Sequence, residues 1–231
     1  DLFGFVSVTG GFGVEKKTNQ SVVVSDYATP TETRSTVTAN LLTIGLANVS
    51  AFVGYGGIGL NLTGVDLAIA LWSEVGGAAR SWTSVMGSVA SASFAGVTGL
   101  TISVTSVGIV VNKKAADNTV VDYFKTDDEA TAATSLIVTV APSETVTFSI
   151  DDNNGDYIQV VGNATIDLFG FVSVTGGFGV EKKTNQSIVV SNYATPTETR
   201  TTVTANLLTI GLANVSAFVG YGGIGLNLTG V

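Results

Sequence analysis

The sequence predicts an all-β protein: an elongated antiparallel β-sheet array, solenoid-like or tubular, built from tandem repeats. Three observations lead there. Residues 1–65 recur as residues 167–231 at an offset of 166, with three differences: Val22 against Ile188, Asp26 against Asn192 and Ser35 against Thr201. Self-similarity at a long fixed period is the signature of stacked structural units. The composition is 45% apolar and only 12% charged, with 28 Gly among many Ser, Thr, Ala and Val, which suits pleated, closely packed strands better than helices. Finally, apolar residues alternate with period two over stretches much longer than the usual strand of about five or six residues.

The repeat divides the chain into one complete unit, 1–166, and the first 65 residues of a second, near-identical unit, 167–231. We read the whole as a window on a longer tandem array. At the junction, "YIQVVGNATIDLFGFVSVTG" (157–176) contains no Pro- or Ser-rich linker, so neighbouring units are expected to share sheet hydrogen bonds. A weaker echo lies inside the unit, where "VSVTGGFGVEKK" (6–17) resembles "ISVTSVGIVVNKK" (102–114). An isolated unit would expose the apolar sides of its first and last strands, and the next identical unit would cover them.

Taken in order, the elements read as follows. "YATPTETRSTVT" (27–38) is an exposed edge or loop, since Pro30 cannot occupy a central strand position. In "LLTIGLANVSAFVG" (41–54) both alternating sets are apolar or small, so both sides are expected to be covered. The glycines of "YGGIG" (55–59) reverse the chain into "LNLTGVDLAIALWS" (60–73), whose phase slips at Gly64 and so calls for a bulge. A turn at "EVGGAAR" (74–80) places Trp72 and Trp82 opposite one another across a hairpin. Strands follow at 81–97, 99–112, 119–124, 135–140, 145–150 and from 157 onward. "TDDEATAATS" (126–135), with Asp127, Asp128 and Glu129, reads as a solvated loop or a helical turn after an aspartate cap. The pairs Lys16-Lys17, Lys113-Lys114 and Lys182-Lys183 read as gatekeepers at strand ends.

Composition also bounds the chemistry. The chain has neither cysteine nor histidine, which removes disulfides, thiol chemistry, the usual zinc, copper and haem ligands, and the commonest general base near neutral pH. A formal net charge of −8 argues against a nucleic-acid partner. No run of 18 apolar residues is present, so no transmembrane helix is expected. The serines stand in no G-x-S-x-G elbow, and we expect no enzyme. The best candidate site is "DDNNGDY" (151–157), in which Asp152, Asn154 and Asp156 follow the D-x-N-x-D spacing of calcium loops beside Asp151. It lacks the bidentate glutamate of an EF-hand. Two readings therefore stand: Asn154-Gly155 as the turn of a hairpin between 145–150 and 157–161, which the sequence favours, and a calcium loop. Calcium is the single cofactor the sequence suggests.

The phrases "FGFVSVTGGFGVEKKT", "LLTIGLANVSAFVGYGG", "GLNLTGVDLAIALWSE" and "GLTISVTSVGIVVNKKAADNTVVDY" resemble those of giant repeat-rich bacterial cell-surface proteins. That resemblance implies an extracellular or cell-surface location, a structural or adhesive role and partners that are copies of the same unit; it carries no active-site residues with it. The leading expectation is a structural repeat of an extracellular filament, sheath or giant adhesin. Two others stand beside it: a segment of a transmembrane β-barrel, which also uses long alternating strands, and a surface repeat that binds glycans through its Thr-rich stretch at Thr29, Thr31 and Thr33.

Overall fold

A computed structural model describes residues 5–27, 32–77, 79–124, 133–193 and 197–230. The acidic run Asp127 to Glu129, most of the expected helical turn, and Thr29 and Thr31 lie outside the described residues. Five long strands form a meander: β1 (Val6–Ser25), β2 (Arg34–Tyr55), β3 (Ile58–Glu74), β4 (Ser81–Ala95) and β5 (Leu100–Lys113). Three short ones follow: β6 (Val120–Val121), β7 (Ile137–Ala141) and β8 (Glu144–Thr147). A single 3₁₀ turn at Asp152–Asn154 then leads into β9 (Tyr157–Leu168), β10 (Val172–Asn192), β11 (Thr199–Tyr221) and β12 (Ile224–Leu228). Ten of these strands make one sheet in the order β12-β11-β10-β9-β5-β4-β3-β2-β1-β6, antiparallel throughout, and β7 pairs with β8 in a separate hairpin. The chain is thus all-β and antiparallel, as the sequence predicts. Its sheet is open, with β12 and β6 at the two ends, and does not itself close into a tube or coil into a solenoid.

Local chemistry explains the length of the strands. At 20 and 22 residues, β1 and β2 each extend about 65–75 Å at ~3.3 Å per residue. The reversal from β2 to β3 is tight: Gly56 and Gly57 take φ of 61° and 82°, the left-handed pair that a two-residue hairpin turn needs. Bulges relieve twist along the way. Register slips between Lys17 and Gln20 and between Leu46 and Val49, where Asn19 (φ 53°) and Asn48 (φ 47°) enter the left-handed region that asparagine tolerates better than most residues. Asn185 and Asn214 repeat these conformations, and β10–β11 repeats the β1–β2 register residue for residue, from Val172↔Val219 against Val6↔Val53 onward. Gly64 (φ 60°) is skipped by the pairing with β2, which is the bulge the phase slip calls for, and Trp72 lies directly opposite Trp82.

Three expectations are corrected. The lysine pairs at 16–17 and 182–183 lie in mid-strand rather than at strand ends; only Lys113 closes a strand. The segment 145–150 does not form a hairpin with β9, because β8 pairs with β7 while β9 lies between β5 and β10. The third concerns β2, whose two faces are not equally covered. The β7–β8 hairpin and its flanking segments lie over one face of the meander, burying Val22, Val24, Leu41, Trp72 and Trp82 against Tyr123, Leu136, Val138 and Phe148. Leu41, Thr43, Gly45 and Ala47 point into this core, whereas Leu42, Ile44 and Leu46 occupy the other face and stay half-exposed. One strand cannot bury both sets when its cover reaches only one of them.

Within the described residues, the cover lies over the first copy. Leu41 is 2% exposed and its counterpart Leu207 is 41%; Val24 is 0% and Val190 is 39%. Identical local sequence therefore gives different burial, and the difference comes from residues 115–150. Glycine records the contact most sharply. A Cβ on Gly45 would lie 2.6 Å from the Thr139 carbonyl oxygen and 2.6 Å from the Val140 Cα, whereas one on Gly211 meets nothing within 4 Å. Gly45→Ala is expected to lower stability by about 1–3 kcal/mol through overpacking, and Gly211→Ala to change it by no more than ~0.5 kcal/mol. Urea unfolding of the two variants checks this; equal midpoints would contradict the one-sided cover.

Candidate functional site

Two polar assemblies and one apolar surface are the features of this fold that could carry function. The first assembly fastens the cover to the sheet. Arg34, at the start of β2, donates from Nε and Nη2 to Asp152 at 3.1 and 2.9 Å, and also reaches Glu32 at 3.0 Å and Asp122 at 3.6 Å. Asp152 and Asp122 are fully buried. Asp122 also accepts from the Phe124 amide at 3.0 Å, while its own amide donates to the Val23 carbonyl. Ser25 of β1 donates its hydroxyl to Glu32. A buried carboxylate is tolerated only when paired, and here one guanidinium fork serves three of them. The corresponding Arg200 pairs with Glu198 at 2.9 Å, with its side chain 69% exposed against 13% for Arg34.

Crowding of the carboxylates shifts their titration. Burial, followed by the hydrogen bond to Asp152, pushes Glu32 up from 4.5 to about 7. Burial also opposes ionisation of Asp152, but hydrogen bonds from Glu32, Arg34 and Ser25 outweigh it and hold this carboxyl below its usual range. Near pH 6, Glu32 therefore keeps the proton and Asp152 the charge. The folded state binds that proton more tightly than the unfolded chain, so the contribution of Glu32 to stability is greatest below about pH 4.5 and is lost as pH rises through about 7. Glu32→Gln is expected to remove this decline, making the variant the more stable of the two at pH 8; a parallel pH dependence of the urea midpoints between pH 5 and 8 would contradict it.

The predicted loop 151–157 does not gather its oxygens. Asp151 caps the 3₁₀ turn by accepting from the Asn153 amide at 2.9 Å. Asp152 is committed to Arg34, and the Asn154 amide bonds to the Asp151 carbonyl. Asp156 accepts from Lys113 Nζ at 3.1 Å and from the Thr184 hydroxyl at 3.3 Å. Among the described residues, no cluster of three or more acidic side chains has the arrangement of a metal site. The loop instead anchors the cover at one end and the next copy at the other.

That second anchor belongs to the joint between copies. β9 and β10 pair over twelve positions, from Val172↔Leu168 to Lys183↔Tyr157. Tyr157 donates its hydroxyl to Glu181 at 3.1 Å, the Gln159 amide reaches the same carboxylate at 3.4 Å, and the Lys183 ammonium sits 5.4 Å from the Tyr157 ring centroid. Burial and the adjoining Glu181 carboxylate raise the Tyr157 phenol above its ordinary value, keeping it a donor. Under the cover, Trp72 donates to the Tyr123 hydroxyl at 2.8 Å, Tyr123 to Ser84 at 3.0 Å, Ser84 to Asn112 at 3.0 Å, and Asn112 to the Val121 carbonyl at 2.8 Å. Each member of this buried polar chain has a hydrogen-bond partner.

The apolar surface lies on the opposite side of the sheet. Cross-strand register aligns Phe12, Leu46, Leu67, Gly87, Ile109, Val160, Val180 and Ile210 in one row over eight strands. A parallel row begins Val14, Ile44, Ile69, Val85 and Val111. These side chains are half-exposed or exposed, while the opposite face holds small and polar residues such as Gly11, Ala47, Ala68 and Ser88. The residues that sequence reasoning missed, Arg34, Asp122 and Glu32, come from parts of the chain that only the folded cover brings together; the unusual Arg34 beside a strand start was their one visible signal. No protein-family model, curated protein or solved structure matches this chain.

Proposed function

We propose that the chain is a structural repeat of an extracellular filament, sheath or giant adhesin at a cell surface, working through self-association of its units. The observation that carries this reading is the β9–β10 joint, in which the last strand of one unit pairs along its whole length with the first strand of the next. Such a joint can recur without limit, because β10 and β11 reproduce β1 and β2 in both sequence and register. Repetition would extend the sheet by six long strands per unit, and the twist natural to a sheet would wind the extended array into a solenoid-like or tubular body. Among the described residues, the buried Asp122, Asp152, Thr134 and Asp156 side chains hold the cover or the joint, which supports a mechanical role.

The open apolar face favours a second reading, a membrane-embedded β-sheet. In mid-sheet, aliphatic side chains on one face and Gly, Ala or Ser on the other give the alternation a transmembrane barrel uses, while Leu41, Trp72 and Trp82 under the cover break it. Over 42–47 the large residues Leu42, Ile44 and Leu46 share one face while Thr43, Gly45 and Ala47 share the other. Contiguous apolar surface of this extent marks a contact, with lipid or with another protein layer. Detergent-free purification, negative-stain microscopy and flotation with phosphatidylcholine vesicles separate the two. Filaments that stay in the aqueous fraction are expected; a chain that requires detergent and floats with the vesicles would replace the filament reading with the membrane one.

A further inference from the structure

We infer that the outer edge of β1, residues 6–17, is an acceptor for a strand of the 157–168 sequence from another copy of the unit, paired in the register Val6↔Leu168 through Lys17↔Tyr157. The inference rests on the self-association reading above and specifies where and how that association occurs. In the sheet, β1 is flanked by β2 on one side; on the other, among the described residues, it pairs with β6 at Val24 and Ser25 alone. Twelve of the residues that β6 leaves unpaired, 6–17, correspond at the 166-residue offset to the twelve of β10 that β9 occupies. Between 6–17 and 172–183 the sequence does not differ at all.

The side chains that receive β9 in the joint are present on β1 without their partner. Glu181 and Lys183, which hold Tyr157 and Gln159, correspond to Glu15 and Lys17. On β1 these two pair only with each other among their recorded ion pairs, at 3.0 Å, with side chains 52% and 41% exposed; in the joint the same pair is 26% and 22% exposed. Phe178 packs beside Gly162 of β9, where an added Cβ would lie 3.2 Å from the ring. Its counterpart Phe12 is 68% exposed. An unpaired edge with matching side chains is a template for strand addition, and alternate side-chain pockets give such addition its register.

Because the chain has no cysteine, single introduced thiols report the register without background. Full-length Ser7→Cys is incubated under mild oxidation with a synthetic peptide of residues 157–168 carrying Asp167→Cys, and separately with one carrying Asn163→Cys; the pairs Ser173↔Asp167 and Gly177↔Asn163 define the expected alignment. Thr9→Cys with a Thr165→Cys peptide repeats the test two residues along. A disulfide at 7/167 and at 9/165, and none at 7/163, is the expected result. No crosslink, or equal crosslinking in both registers, overturns the inference. A chain that forms filaments yet captures neither in-register peptide sinks this edge and leaves the filament reading standing. One that captures the peptides in register yet never polymerises does the reverse.

Discussion

Backbone N–H and C=O groups along a strand edge must be satisfied by another strand, by side chains or by water, and the architecture of this protein follows from where that happens. The five-strand meander closes its own internal edges. Its last edge, on β5, is taken by β9, and the far side of β9 is taken by the next copy's first strand. The unit thus finishes on a strand whose second neighbour comes from the following repeat. Sharing of hydrogen bonds across the boundary makes the two copies parts of one sheet, in place of two domains tethered by a linker.

Within the unit, covering one face of the sheet is a separate task from pairing its edges. After β6 pairs with the end of β1, the described residues 133–150 lie over the small-residue face of the meander and lead through the 3₁₀ turn into β9. Gly45 and Ala47 allow the close approach, while Trp72 and Trp82 fill the wider space and find hydrogen-bond partners in Tyr123 and Thr119. Arg34 fixes the far end of this crossing through Asp152 and Asp122. Removing Arg34 would leave the buried Asp152 and Asp122 carboxyls without their cation, which makes the bracket specific for the correct cover. The opposite, aliphatic face has no comparable covering segment within the described residues, and its contacts must be made by other molecules if it is to leave water.

Parts of this were legible in the residues themselves. Period-two alternation, Gly56-Gly57, the phase slip at Gly64 and the facing tryptophans are local signals, and they place β2, β3 and β4 and their register. The absence of a linker at 157–176 likewise points to a shared sheet. The partners of the loop 151–157 were not legible because its oxygen spacing is shared by calcium loops, 3₁₀ caps and ion-pair anchors alike, and the arginine and lysine that use those oxygens lie 118 and 43 residues away.

By itself, the sequence determined the strand-rich class, the 166-residue period and the positions of turns and bulges, since these depend on backbone preferences acting over a few neighbours. Only the tertiary structure decided which face of each strand is buried. Leu41 and Leu207 sit in the same run of letters, yet one is enclosed and the other half in water. Burial is a property of what packs against a residue from elsewhere in the chain, and identical local sequence carries no information about that.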